Sequence, residues 1–269
     1  MGGSFLVTPA LLMLDYPAPV AIGSSMTFVF GTAVIATLKH HDSGQVDYRL
    51  GGLMFVGIAL GIEAGSRLVF GLEALGIADA VVGVAYVLVL AAIGLLFTRS
   101  ALNDDGDEDE TDDGDEADES SDDDVPAIAR RIQSYDIPPM MTLADGQQAS
   151  LWTISGVSAA VGVISGFLGV GGGFVRMPAI YYVIGTSLAA AVGTSLFTGL
   201  LSGGVGAFTY GRAGVIDLGI VTALLVGSAL GARIGSGATA YVNEDDVTIY
   251  FGVMLLVASA AVALGEGAR

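Results

Sequence analysis

Apolar residues run along this chain in long blocks separated by short polar turns. The blocks cover about 19–38, 50–70, 78–97, 151–172, 187–209, 215–241 and 247–265, with a shorter one at 174–185. A hydrocarbon core about 30 Å thick takes roughly 20 apolar residues in a helix. The pattern therefore predicts an all-α polytopic membrane protein with about seven long segments. The short block follows a glycine cluster, Gly169-Val170-Gly171-Gly172-Gly173, and contains Arg176 and Pro178. Glycine admits positive φ and close approach by other segments. Proline removes a donor and pushes the preceding residue away from the helical region. A hydrophobic helix is predicted to break here. Inside a membrane, freed backbone groups are tolerated only where protein or a water-lined cavity satisfies them. Such breaks are where transporters hold their substrates, so this stretch is the expected site.

The two halves of the chain resemble each other. At an offset of 169, Gly2, Gly3, Phe5, Pro9 and Ala10 fall on Gly171, Gly172, Phe174, Pro178 and Ala179. At an offset of 170, Ala21, Gly23 and Ser25 fall on Ala191, Gly193 and Ser195, and Gly44 and Asp47 on Gly214 and Asp217. Gly57, Gly61 and Gly65 likewise fall on Gly227, Gly231 and Gly235. Duplicated hydrophobic halves are a recurrent transporter architecture, with the site at the interface between repeats. The block at 151–172 has no counterpart in the first half. Either that half lacks a helix, or an internal methionine stands as the start; the second is expected, with eight long segments in the complete protein.

Composition supports a membrane location. The chain of 269 residues is 53% hydrophobic and 14% charged, where a soluble protein has roughly a quarter charged, and its mean hydropathy is +0.70. There is no cysteine, hence no disulfide framework, thiolate metal site or cysteine nucleophile. No basic region precedes an apolar one at the start, so no signal peptide is read. The net charge of −18 is concentrated: residues 104–124 carry fifteen of the 28 acidic residues and no basic one, and the remainder is at −3. That run cannot bury a core and is expected to be disordered. The chain is accordingly divided into a first transmembrane repeat at 1–102, an acidic linker at 103–149 and a second transmembrane repeat at 150–269. Within the linker, 125–149 reads as loop, with room for a short interfacial helix. One lysine, Lys39, stands against nine arginines; with abundant aspartate this suits concentrated salt, as in a halophilic archaeon. An acidic surface repels phosphate, so nucleic acid is not an expected partner. The positive-inside rule puts the loops near Lys39, Arg49 and Arg212 in the cytoplasm. Whether the repeats are parallel or inverted is left open.

Several stretches resemble the TauE/SafE sulfite exporter family of integral membrane permeases. They are Gly169-Val170-Gly171-Gly172-Gly173-Phe174-Val175-Arg176-Met177-Pro178-Ala179, Ala191 to Phe197, Thr209 to Asp217 and Gly227 to Gly235. In the first half, Phe5 to Leu11 and Gly44 to Tyr48 look like the family's first repeat. The resemblance covers nearly all the chain outside the acidic linker. It implies a plasma-membrane, multi-pass transporter of small sulfur-containing anions such as sulfite or organosulfonates. Ser4, where the second half has a third glycine, is a departure.

Charges inside apolar blocks are rare and functional by default; away from the block ends they are Glu63, Arg67, Arg176 and Arg233. At Arg176 an anion can be met by the guanidinium and by backbone N–H groups around Gly171, Gly172 and Gly173. Alternatively, Arg176 snorkels to an interface or binds carbonyls freed by the break. Glu63 and Arg233 hold matching positions in the two repeats, which admits an intramembrane ion pair with a coupling role. Glu63 and Arg67, four apart on one helix face, form the structural alternative. A Glu63 left unpaired in one conformation would couple transport to protons. Ser24 and Ser25, matched by Thr194 and Ser195, can bond an oxyanion or a sodium ion, or pack helices. The Gly-x-x-x-Gly spacings at 57/61/65 and 227/231/235 are expected to pack helices closely.

Other chemistry is not indicated. The glycine cluster lacks the Lys-Ser/Thr of a nucleotide loop. His40 and His41, adjacent in a loop, point differently, so no metal is expected, and no cofactor either. No catalytic set converges in the apolar blocks, so an enzyme is not expected. Expected partners are a small anionic substrate, the lipid bilayer, a coupling ion (proton or sodium) and a second copy of the chain in a homo-oligomer. Two other readings remain open: a membrane subunit of a larger transport assembly, recruiting its partner through the linker, and a channel.

Overall fold

The computed structural model describes residues 4–40, 48–104, 140–142, 148–171, 173–184 and 188–238, together with 257, 259, 260 and 262. Within them the chain is helical apart from one small hairpin. The helices are α1 (Ser4–Met13), α2 (Ala18–His40), α3 (Tyr48–Ala74) and α4 (Ala78–Asp104), then α5 (Leu151–Leu168), α6 (Gly173–Ala179), α7 (Leu188–Arg212) and α8 (Leu218–Ala238). A π turn at Ile180–Ile184 continues α6. The described parts of the apolar blocks at 19–38, 50–70, 78–97, 187–209 and 215–241 each coincide with one helix, the block at 151–172 is helical as far as Leu168, and the block at 247–265 lies mostly outside the described residues. Among the described residues three stretches, Ala18–Ile35, Arg49–Ala74 and Leu151–Leu168, are long and apolar enough to cross a membrane, and Ala78–Ala92 and Leu218–Arg233 are shorter apolar runs.

The stretch before α5 differs from the expected loop. Strand β1 (Met140–Thr142) pairs antiparallel with β2 (Gln148–Ser150), with Met141 opposite Ala149. Asp145-Gly146 between them is a hairpin signal in the sequence, but strands of three residues are too short to show an alternating pattern. Helix α4 also runs on to Asp104, past the expected start of the linker at 103.

The chain forms two compact units, one of residues 1–79 and 122–225 and the other of 80–121 and 226–269. In the second unit the Ser259 hydroxyl donates to the Val87 carbonyl at 3.0 Å. The first unit holds the polar interior described below, and α3 against α5 is its closest helix pair. A Cβ on Gly57 would stand 2.6 Å from Ser158 Cβ, and one on Gly65 2.5 Å from the Val163 carbonyl. From the other side, Cβ atoms on Gly162 and Gly166 would stand 2.5 Å from the carbonyls of Ile58 and Ile62. Small residues let membrane helices approach to backbone contact, and here they do so from both partners. The first-half Gly-x-x-x-Gly spacing is thus a packing surface. No described atom lies within 4 Å of such a Cβ on Gly227 or Gly231.

Polarity is distributed inside out. Leu50, Met54, Ile58 and Ile62 of α3 are fully buried, while Val56 and Leu60 on its other side are 59% and 67% exposed. Meanwhile Thr8, Ser24, Ser25, Ser165, Arg176, Thr194, Thr198 and Ser202 are buried. Apolar side chains turned outward, with polar groups gathered inside among apolar ones, suit a surround of lipid.

Gly61→Val and Gly166→Val should each lower the unfolding midpoint in detergent, since overpacking costs about 1–3 kcal/mol or more. Gly52→Ala adds a methyl that meets nothing within 4 Å, so it should leave the midpoint unchanged or raise it through helix propensity. Equal losses in all three would mean that close approach of α3 to α5 is not what these glycines serve.

Candidate functional site

The site is built on the way α5 ends. Ser150 caps its start, the Ser150 hydroxyl accepting from the Trp152 N–H at 3.3 Å. Gly169 closes the other end with φ 74°, its N–H donating to the Ser165 carbonyl at 2.8 Å. This is a left-handed C-cap, which glycine adopts without strain. A Cβ at Gly169 would also stand 2.9 Å from Ile22 Cα, so α2 packs directly over the turn. Gly171 again has positive φ, 61°, and lies against Val29 of α2. The chain then enters α6, which contains Pro178 and loosens into the π turn. A proline, which has no N–H to donate, fits that change of winding. The predicted break is therefore present.

Carbonyls freed at the break are taken by side chains. Ser25 of α2 donates to the Gly169 carbonyl at 2.7 Å. Arg176 donates through one terminal nitrogen to the Ser195 carbonyl at 3.0 Å. Through the other it donates to the Gly171 carbonyl and to Ser202 Oγ, the latter at 2.6 Å. Ser202 in turn donates toward the Gly171 carbonyl at 3.1 Å. Arg176 is 0% exposed. Desolvating an ion costs several kcal/mol, and three charge-assisted bonds at about 1.5–3 kcal/mol each are of a size to offset it. All three acceptors are neutral. No carboxylate among the described residues partners the guanidinium, and its Nε–H has no acceptor. Among the described residues the site is a buried positive charge with no carboxylate partner and a free donor.

The other candidates fall into distinct places. Gly171 contributes a carbonyl to Arg176, Gly173 opens α6, and Gly172 lies outside the described residues. Ser24 and Ser25 both lock the backbone of the second half: Ser24 Oγ accepts from the Asp217 N–H at 3.0 Å, and Ser25 holds Gly169. Asp217 caps α8 by accepting from the N–H groups of Gly219 (2.8 Å) and Ile220 (3.1 Å). Thr194 and Ser195 are buried, and their backbone carbonyls face the cluster: that of Ser195 takes Arg176, that of Thr194 takes the Thr198 hydroxyl at 2.7 Å. Glu63 forms the local pair with Arg67 at 3.1 Å and is joined by Arg212 of α7 at 3.5 Å. This group is partly exposed and apart from the buried cluster; Arg233 belongs to the second unit and is exposed. His41 and Asp42 lie outside the described residues. Sequence reasoning missed Ser202, one hydroxyl in an apolar run, and took Arg212 only as a basic loop charge, since its pairing with Glu63 depends on tertiary packing. It also missed Tyr210, whose buried hydroxyl donates to the Gly166 carbonyl at 2.6 Å and ties α7 to α5.

Helices apolar enough to cross a membrane, broken beside a buried cation, define a helical membrane protein with the build of a transporter. The family model described as "Sulfite exporter TauE/SafE" matches residues 1–262. The chain belongs to this family of membrane transporters. It is 24% identical over 237 residues to a "Probable membrane transporter protein" of Xylella fastidiosa (strain 9a5c), covering 87% of this chain and 76% of that one. It is 21% identical over 267 residues to "Probable membrane transporter protein YunE" of Bacillus subtilis (strain 168), covering 96% and 88%. No solved structure matches.

Two substitutions separate the buried cluster from the exposed ion pair. Ser202→Ala removes an acceptor from Arg176 and a donor from Gly171, so it should cost about 1.5–3 kcal/mol in detergent unfolding. Glu63→Gln should cost no more than about 1 kcal/mol, as for other exposed pairs, and leave the pH dependence of flux unchanged. A lost pH dependence would instead make the Glu63 carboxylate the proton-carrying group.

Proposed function

We propose that this protein is a multi-pass permease of the plasma membrane. It exports small sulfur-containing oxyanions such as sulfite or organosulfonates by secondary active transport, coupled to protons or sodium. Arg176 meets the charge of the anion at the break between α5 and α6. One observation carries the anion: a fully buried guanidinium, held among the described residues by neutral acceptors only, with its Nε–H unused. A neutral or cationic cargo would leave that charge uncompensated in an apolar interior, whereas an anion removes the imbalance. The family description supports sulfite among the small anions; the names of the two relatives specify no cargo.

Spacing along the chain supports a two-repeat architecture for this permease. Helices α2 and α7 start at Ala18 and Leu188, and α3 and α8 at Tyr48 and Leu218, 170 residues apart in both cases. Pro9 inside α1 and Pro178 inside α6 differ by 169. Repeats of this kind place a cargo site where their broken helices meet. In this reading the protein performs no chemistry on its cargo.

Labelled-sulfite flux into proteoliposomes at high salt tests the proposal. The parent should show saturable flux, and Arg176→Gln should abolish it while remaining monodisperse and folded. Arg176→Lys keeps the charge but loses the planar fork and should retain a small part of the flux. Normal flux in folded Arg176→Gln would remove Arg176 from the pathway. A parent that moves neither sulfite, sulfate nor a sulfonate would end the sulfur assignment.

A further inference from the structure

Three buried side-chain polar atoms of the described residues have no hydrogen-bond partner: Thr8 Oγ1, Ser165 Oγ and Arg176 Nε. They belong to three helices, α1, α5 and α6, yet all three residues adjoin the same short link of backbone, 169–171. Thr8 Oγ1 is 3.0 Å from where a Cβ on Gly169 would stand. Ser165 accepts the Gly169 N–H at its carbonyl, and Arg176 donates to the carbonyl of Gly171.

The two hydroxyls lack partners against the habit of this protein. A serine or threonine in a helix ordinarily turns back to a carbonyl one turn earlier. Thr27 does so to Gly23 (2.8 Å), Ser158 to Ile154 (2.5 Å), Thr198 to Thr194 (2.7 Å) and Thr222 to Leu218 (2.7 Å). Thr8 and Ser165 lie in helices and are 0% exposed, but neither makes that bond. A buried hydroxyl with no partner is unfavourable unless something else supplies one.

The surroundings select the kind of partner. The Gly169 carbonyl is covered by Ser25 and the Gly171 carbonyl by Arg176 and Ser202. Two carbonyls of the link that would repel an anion are thus already occupied, while donors are left over. A metal cation is disfavoured, because the charge at this link is a guanidinium and the buried described residues include no carboxylate. We propose that Thr8 and Ser165 donate their hydroxyls to oxygens of a small oxyanion bound at the 169–171 link, with its charge met by Arg176. This rests on the anion-transport reading. It extends the site to α1 and makes the pair a filter for oxygen-rich anions.

The test uses the full chain with Thr8→Val, Ser165→Ala and the double substitution, in two measurements. The first is the KM for labelled-sulfite flux in proteoliposomes, with sulfate and methanesulfonate as competitors. The second is the unfolding midpoint in detergent with and without each anion. A hydrogen bond to a charged group corresponds to roughly tenfold or more in affinity, so each single variant should raise KM about tenfold. Each should also lose most of the anion-induced rise in midpoint. Without anion, the variants should be as stable as the parent or more so, because an unpartnered hydroxyl gives way to an apolar group. Thr8→Ser, which keeps the oxygen, should recover most of the affinity lost in Thr8→Val. Unchanged KM and unchanged anion stabilisation in folded variants would overturn the proposal, leaving the hydroxyls idle or bound to water and Arg176 untouched. Failure of Thr8→Ser to recover affinity would assign the effect to packing and overturn it too. A parent neither transporting nor stabilised by any of the three anions would bring down the anion-transport reading itself, and this subsite with it.

Discussion

A helix that stops inside an apolar environment must find partners for its last carbonyls, and the rest of this structure depends on how α5 solves that problem. Water is not at hand in a bilayer. The turn at Gly169 satisfies one N–H locally, and the freed carbonyls are reached by side chains from elsewhere in the chain: Ser25 from α2, Ser202 from α7 and Arg176 from α6. Since Arg176 also takes the Ser195 carbonyl of α7, one guanidinium ties the broken segment to the neighbouring helix. The break is a structural joint as well as a candidate binding position.

That joint requires the helices around it to be placed closely. Glycines on both α3 and α5 remove the side-chain layer between them, so the two backbones fix each other's position. Tyr210 ties α7 to α5 at the Gly166 carbonyl, next to this contact. Ser24 and the Asp217 cap set the start of α8 against α2. Most of these ties link residues from the two halves of the sequence. The first half, which carries no buried cation of its own among the described residues, therefore serves as the wall against which the second-half break is held.

Much of this was legible in the sequence, for physical reasons that differ by feature. Block length and the near absence of internal charge indicated the helices, because the bilayer constraint acts on composition directly. The break was legible because glycine and proline act through their own backbone geometry, independent of context. Arg176 stood out as a charge in an apolar block. Its partners did not, since Ser202, Thr8 and Ser165 are ordinary residues whose importance comes from what tertiary packing leaves them next to. Ser24 and Ser25 are a different case. Their repetition suggested either ligand contacts or helix packing, and their hydroxyls meet backbone at Asp217 and Gly169. The hairpin at 140–142 and 148–150 escaped for a third reason: its three-residue strands are too short to show an alternating pattern.

The two roles first weighed for Arg176, holding freed carbonyls and meeting an anion, are compatible. A guanidinium has five N–H groups in a planar fork, and the structure employs its terminal nitrogens while leaving Nε without a partner. Had a carboxylate held it, the charge would be neutralised and the pair would be inert toward an anion. Carbonyl and hydroxyl dipoles instead stabilise the cation without cancelling it. The contacts that make burial tolerable thus preserve the property an anion would recognise, and they fix the position of the charge before any ligand arrives. Preorganisation of this kind has a structural consequence. Binding to the free edge of the guanidinium need not disturb the bonds that hold the break, so the joint can stay intact while the cargo comes and goes.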